Sequence, residues 1–226
     1  MFANGHKLIL DRALDALPGS PLSAQYDAMV LGNLREDVYK LPFLRAFTLG
    51  KGLTHYYRPG TPWGVLPFVP SAPTRAGWLF DEGVAAWRAG RQRDGAWHLG
   101  RAVHLVGEMA APVHAQRVLH WRGDGFEMYI ERHHAELRKL PLPPPPRAES
   151  APQLAHDLAV ACQAFPCDRT RNVPGFLGWK LGLLRRPDEA EVIAQARALV
   201  PLGAAYTMAL CKLFLALAGE PLAEAA

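Results

Sequence analysis

The chain is short of cysteine, of clustered charge and of long apolar runs, and each shortage removes a class of protein. Its three cysteines, Cys162, Cys167 and Cys211, all lie beyond residue 160, too few and too C-terminal for a disulfide framework or a thiolate zinc site. Cys162 and Cys167 could still bridge in an oxidising compartment, so they leave the redox compartment open. Lysine plus arginine outnumber aspartate plus glutamate by only 25 to 21, a net of +4 with neutral histidines, without the clustering of a nucleic-acid arm. The most apolar stretch has 14 uncharged residues, Ala198 to Cys211, holds Pro201 and stops at Lys212. A spanning helix needs roughly 20 predominantly apolar residues, so this stretch is expected to be a buried core helix rather than a transmembrane one. The opening MFANGHKLIL has no basic start followed by a long apolar run and a cleavage site. The chain is therefore expected to be cytoplasmic if Met1 is its native start, and secreted if a signal peptide has been removed.

What is present is a chain of 226 residues, 50% of them apolar and 9% aromatic, enough for one sizeable core. No run of alternating residues is long enough to build a sheet, and the apolar spacing is helical almost throughout, which predicts an all-α fold. Helices are expected at Gly5 to Leu17, Leu22 to Leu31, Arg75 to Gln92, Ala96 to Met109, Gly123 to Leu140, Ala151 to Ala164 and Glu189 to Leu217, with a shorter apolar segment at Gly175 to Leu184. GNLREDVYKLP is expected to be irregular after a helix end. Tyr57 to Pro73, with five prolines and two glycines, is expected to be a long ordered loop packed by its own aromatic and aliphatic groups. Residues 1–226 are expected to form a single domain. A metal-bearing part spans 1–140, a proline-rich spacer 141–148 and a helical C-terminal part 149–226.

Histidine is unevenly placed: eight of the nine lie within the first 134 residues. The most informative segment is HLVGEMAAPVH, from His104 through Glu108 to His114. A histidine and a glutamate at i and i+4 share one helix face and can grip one ion, with the third group just past the helix end. Four further candidates lie in separate segments: His6, Asp37, His55 and Glu127. Imidazole nitrogens with carboxylate oxygens are a donor set that suits zinc in a hydrolytic site. Taken singly, each of these is more often a solvated polar residue or a satisfied core histidine; the ordered set points to metal. His98 is expected to be structural, and the His133–His134 pair solvated.

In order and spacing these segments resemble the zinc-dependent phospholipase C group, which shares its fold and metal site with single-strand-specific nucleases. The match covers roughly Met1 to His134. LGRAVHLVGEMAAPVHA is similar to the family stretch in which a helical histidine, a carboxylate one turn on and a histidine after proline bind zinc, which implies His104, Glu108 and His114. GNLREDV resembles the aspartate-ligand segment and implies Asp37; THYYRPG implies His55; GDGFEMYIE implies Glu127. The family's free α-amino group and carbonyl of residue one, beside a first-helix histidine, imply Met1 and His6. Two positions depart from the family. Glu108 stands where the family bridges two zincs with an aspartate, and Gly123 stands where it has a histidine. Asp124 is one replacement for that histidine, with helix N-capping as its alternative role, and His120 is the other.

The resemblance implies an all-α, multi-helix bundle with a metal cluster in a cleft, holding two or three Zn2+ ions. It also implies a phosphodiester hydrolase using a metal-activated water, with Glu108 bridging and Asp37 as both ligand and base. The phospholipase C-like reading implies a phospholipid substrate with peripheral membrane contact. The alternatives are a nuclease of single-stranded nucleic acid on the same fold, or a non-catalytic metal-binding protein. The loop bearing Tyr57, Trp63, Leu66 and Phe68, and the segment FLGWKLGLLRR with Trp179, would suit a lipid-facing rim, but core packing is their expected role.

Overall fold

The computed structural model describes residues 3–36, 53–64, 66–118, 124–167 and 187–220. Among them every regular element is helical: α1 Ala3–Asp15, α2 Tyr26–Arg35, α3 Ala72–Arg88, α4 Gln92–Glu108, the short α5 Pro112–Ala115, α6 Gly125–Leu137, α7 Ala151–Cys162 and α8 Glu189–Ala218, with single 3-10 turns at Ser23–Gln25 and Leu53–His55. This is the all-α architecture expected from the periodicity. The segment Gly175 to Leu184, with Trp179, lies outside the described residues.

Local chemistry sets the helix ends. Ser71 caps α3, its side chain accepting from the Thr74 amide. Pro73 falls in the first helical turn, where a missing N–H costs nothing. The helix therefore starts three residues earlier than the proline count suggested. α4 likewise starts at Gln92 rather than Ala96. Asp188 and Glu191 close a capping box at the head of α8, which stops at Gly219 with φ 82°, the left-handed geometry that glycine tolerates.

The larger correction is α2, which runs straight through Gly32 and Asn33 to Arg35, where the sequence suggested an irregular segment. Gly32 serves packing rather than punctuation. A Cβ there would lie 2.1 Å from the Trp97 carbonyl oxygen, and one on Gly100 would lie 2.2 Å from that of Met29. The two glycines let α2 and α4 cross backbone to backbone. Gly100→Ala should therefore cost about 2–3 kcal/mol of unfolding free energy despite alanine's better helix propensity, because backbone rather than side chain must move. A denaturant titration reads this, and an unchanged midpoint would refute the close crossing.

α4 is the hub, touching α1, α2, α3, α7 and α8. Leu99, Val103, Leu105 and Val106 are buried along it. α8 is long and apolar enough to cross a membrane, yet 72% of its apolar window is buried inside the protein. It serves as a core helix against α1, α4 and α6, as the sequence suggested. α1 is tied to α6 by Asn4 Nδ2, which donates to Glu131 (2.8 Å), and by the buried Arg12, whose guanidinium donates to the Leu137 carbonyl (3.2 Å) and the Leu140 carbonyl. The Arg12 guanidinium satisfies carbonyls that the end of α6 leaves open.

Glu36, just past α2, was not singled out from the sequence. Its buried carboxylate accepts from Arg75 Nε at 2.6 Å and Arg101 Nε at 2.8 Å. Burial alone would raise its pKa, but the two guanidiniums overcome that and hold it near 2. The three side chains pin the end of α2 onto α3 and α4.

The proline-rich loop also differs from expectation. Tyr57 is buried, its hydroxyl 2.7 Å from His156 Nδ1. Trp63, Leu66 and Phe68 instead face solvent. Burial of this loop is set by where it leaves the bundle, which composition does not encode.

Candidate metal centre

Four helices deliver five candidate side chains to one place. His6 comes from the second turn of α1, His104 and Glu108 from the last turns of α4, His114 from α5 and Glu127 from the first turn of α6. All five are buried. Three imidazoles and two carboxylates inside an apolar bundle are costly unless they neutralise one another or a cation.

The geometry divides around Glu108. Its Oε1 lies 2.7 Å from His6 Nε2 and 3.8 Å from His104 Nε2, while its Oε2 lies 2.7 Å from His114 Nε2. The His6 and His104 rings stack at 3.9 Å with 17° between planes, so their edges reach the same oxygen. On the other side, His114 Nε2 is also 3.3 Å from Glu127 Oε1. Two groups result, His6–His104–Glu108 and Glu108–His114–Glu127, each with donor atoms within 4.8 Å of one another. Both contain Glu108.

The surrounding residues orient these donors. His114 Nδ1 sits 3.3 Å from the His55 carbonyl oxygen, and a carbonyl only accepts, so Nδ1 carries hydrogen. In the neutral ring the Nε2 lone pair is then directed at the carboxylates. Tyr56 stacks on the His114 ring at 4.6 Å and 21°; the aromatic after His55 in THYY was the signal available for it. The Tyr57 amide donates to the His114 carbonyl at 3.1 Å. Asp124 caps α6, its Oδ1 accepting from the Glu127 amide at 2.7 Å, which fixes the turn that presents Glu127.

Electrostatics follow from this arrangement. Burial pushes the His114 pKa down, but Glu108 and Glu127 outweigh it and hold the imidazole up to about 9. Burial alone would raise Glu108; the His114 charge and the hydrogen bonds from His114 and His6 instead hold it well below the usual carboxylate range. A proton shared at this point occupies the place a cation would take. Imidazole nitrogen and carboxylate oxygen in this number and proximity fit zinc.

The structure thus brings together His6, His104, Glu108, His114 and Glu127. His55 lies alongside, its ring 4.9 Å from that of His104, though it belongs to neither group. Asp124 is placed as an N-cap, its other expected role, and is in neither group. Met1, Asp37, His120 and Gly123 lie outside the described residues. His98 pairs with Glu82 at 3.1 Å, in keeping with a structural role.

No protein-family model and no curated protein match the sequence. Solved structures do match the fold. An alpha-toxin of Clostridium perfringens from an avian strain superposes with a TM-score of 0.65 at 13% identity, covering 97% of this chain and 66% of that one. The alpha toxin from Clostridium absonum does so at 0.65 and 16%, covering 96% and 65%. The chain thus spans just under two thirds of the length of these proteins and shares their all-helical fold.

Proposed function

We propose that the chain is a zinc-dependent phosphodiester hydrolase of the phospholipase C type, built around two ions that share Glu108. The observation that carries this reading is the division of one buried carboxylate, each oxygen facing its own group of imidazole and carboxylate donors. The alpha-toxin fold and the sequence resemblance to zinc-dependent phospholipases C support it. His6 and His104 would hold one ion, His114 and Glu127 the other, with Asp37, His55 and Met1 as further ligands of this pair or of a third ion. Bound zinc supplies Lewis-acid activation of water and neutralises the charge of a phosphodiester. The chain's own residues prepare the place for it. The His55 carbonyl fixes the His114 tautomer, Tyr56 fixes the ring plane, Asp124 fixes the turn bearing Glu127, and Glu108 itself is fully buried. Asp37 is proposed as the base for the attacking water.

The test is cleavage of a phosphatidylcholine and of single-stranded DNA by the full chain, before and after chelation. The reading expects phosphatidylcholine turnover that is lost on chelation and restored by zinc. His104→Ala should lower it by at least about 100-fold with the helical circular dichroism retained, since losing a ligand exceeds the effect of losing its outer partner. Cleavage of DNA alone would make the protein a nuclease on this scaffold, and cleavage of neither at full zinc occupancy would leave a binding protein.

A further inference from the structure

The connection from α6 to α7 is RKLPLPPPPRAES, with proline at five of the six positions 141–146. Proline fixes its own φ near −65° and pushes the residue before it into extended backbone, so such a run takes the left-handed polyproline form with three residues per turn. The exposure along it has that period. Pro141, Pro144 and Arg147 are exposed, while the two residues between each of them are half-buried. One edge of a three-sided rod therefore faces water over about 19 Å, six residues at about 3.1 Å each.

The rod is held from its ends. Arg12 donates to the Leu140 carbonyl, Leu140 and Ala148 pack on the core, and Ser150 caps α7 by accepting from the Gln153 amide at 3.2 Å. Among the described residues, 141–148 make no backbone hydrogen bond. Between the rod and α8 lies an open cavity of about 560 Å³, walled by Leu140, Leu142 and Pro143 on one side and by Ala198, Pro201 and Leu202 on the other. The neighbour pairs Leu140–Pro141 and Pro143–Pro144, one turn apart, thus have an exposed ridge and an open flank. Charge frames this apolar strip. Lys139 is exposed, Arg147 is 90% exposed with Glu149 4.0 Å away, and Arg197 on the cavity wall has Glu136 at 3.8 Å. Exposed pairs at such distances hold their cations weakly. Arg138 is committed instead to Asp15 at 2.7 Å and Asp11 at 3.3 Å.

We propose that residues 139–147 are a docking strip for a partner protein whose groove is lined by aromatic rings and rimmed by carboxylates. Proline rings offer flat apolar faces already fixed in the bound conformation, so aromatic rings pack on them at little entropic cost. A groove of this kind meets two of the rod's three sides, with Leu140–Pro141 in one slot and Pro143–Pro144 in the next. Lys139, Arg147 and Arg197 face the carboxylates. A strip one proline ring wide falls well short of the ~800 Å² that each subunit contributes to a stable dimer, so a second copy of this chain fits it poorly. Residues 138–150 carry none of the aromatic side chains on which the bases of a nucleic-acid strand stack. The metal centre takes no part in the contact.

The test titrates the full chain into an isotope-labelled SH3 domain selective for basic, proline-rich peptides, a module with such a groove. The groove's resonances should shift and saturate, with a Kd within about tenfold of that for a free peptide of residues 138–150. Pro141→Ala with Pro144→Ala should raise the Kd at least about tenfold with the helical circular dichroism retained. Pro145→Ala with Pro146→Ala removes as much backbone stiffness and should lower the melting temperature as much, yet leave the Kd within about twofold. Raising the salt from about 0.15 M to about 1 M should weaken binding at least about threefold. Equal weakening by the two proline pairs would make the strip a stiff spacer and overturn the proposal. Failure of the full chain to bind overturns it whether or not the peptide binds, and so does binding that salt leaves unchanged. A dimer in sedimentation that the Pro141→Ala, Pro144→Ala variant abolishes, with no SH3 binding, overturns it in favour of a second copy.

Discussion

Glu108→Gln should release zinc from both groups at once, lowering affinity at least about 100-fold at each and abolishing turnover, because one carboxylate serves two sets of donors. Glutamine keeps the shape and removes the charge that balances the cations. Glu108→Asp is the sharper variant. It retains the charge but withdraws the carboxylate by about 1.5 Å, and the native oxygens already sit at contact distance, 2.7 Å, from His6 on one side and His114 on the other. The shorter arm reaches one group, so the aspartate variant should retain one of the two ions that share Glu108 where glutamine retains neither. Equal loss in both variants would mean that the two groups are not independent. Full occupancy in the glutamine variant would mean that Glu108 is not a ligand.

The second large effect is on pH. Without metal, His114 holds a proton with a pKa near 9 against an ordinary 6.5. A raised pKa gives stability that is complete below about 6.5 and is lost as pH climbs through 9, on the order of 3 kcal/mol in all. Zinc must displace this proton, so its affinity should rise about tenfold per pH unit across that window and level off above it. The two trends reinforce each other. The metal-free protein weakens from pH 6.5 to 9 while zinc binds more tightly, so the rise in melting temperature on adding zinc should grow steadily over the range. Titration calorimetry in buffers of different ionisation enthalpy should count at least one proton released per chain near pH 7.5, on filling the His114 group. A pH-independent thermal shift would contradict the assignment of His114.

The parts of this arrangement that were legible in the sequence are those that depend on local spacing. The i, i+4 relation of His104 and Glu108, the proline that restarts the chain before His114 and the Asp124 cap all act within one or two turns, and such signals do not require knowledge of the fold. The parts that were not legible depend on what a residue meets across space. Gly32 looks like a helix breaker until the Trp97 carbonyl is set against it. Glu36 looks like one charge in REDV until Arg75 and Arg101 arrive from α3 and α4. The reach of Glu108 to both His6 and His114 follows from the placement of α1 and α5 around the end of α4, and no spacing along the chain contains it. The exposed Phe68 is the same lesson in reverse, since an apolar residue in a loop gives no sign of the side it faces until the fold places the loop.

If one buried glutamate joins two metal sites, as proposed, zinc content measures it most directly. Elemental analysis of the full chain, saturated with zinc and dialysed, should find at least two ions per chain, and three if Asp37 and Met1 complete a further site. It should find one ion fewer than the wild type in Glu108→Asp and two fewer in Glu108→Gln. A wild-type chain that retains one zinc or none would contradict the shared-carboxylate centre and the hydrolytic mechanism built on it.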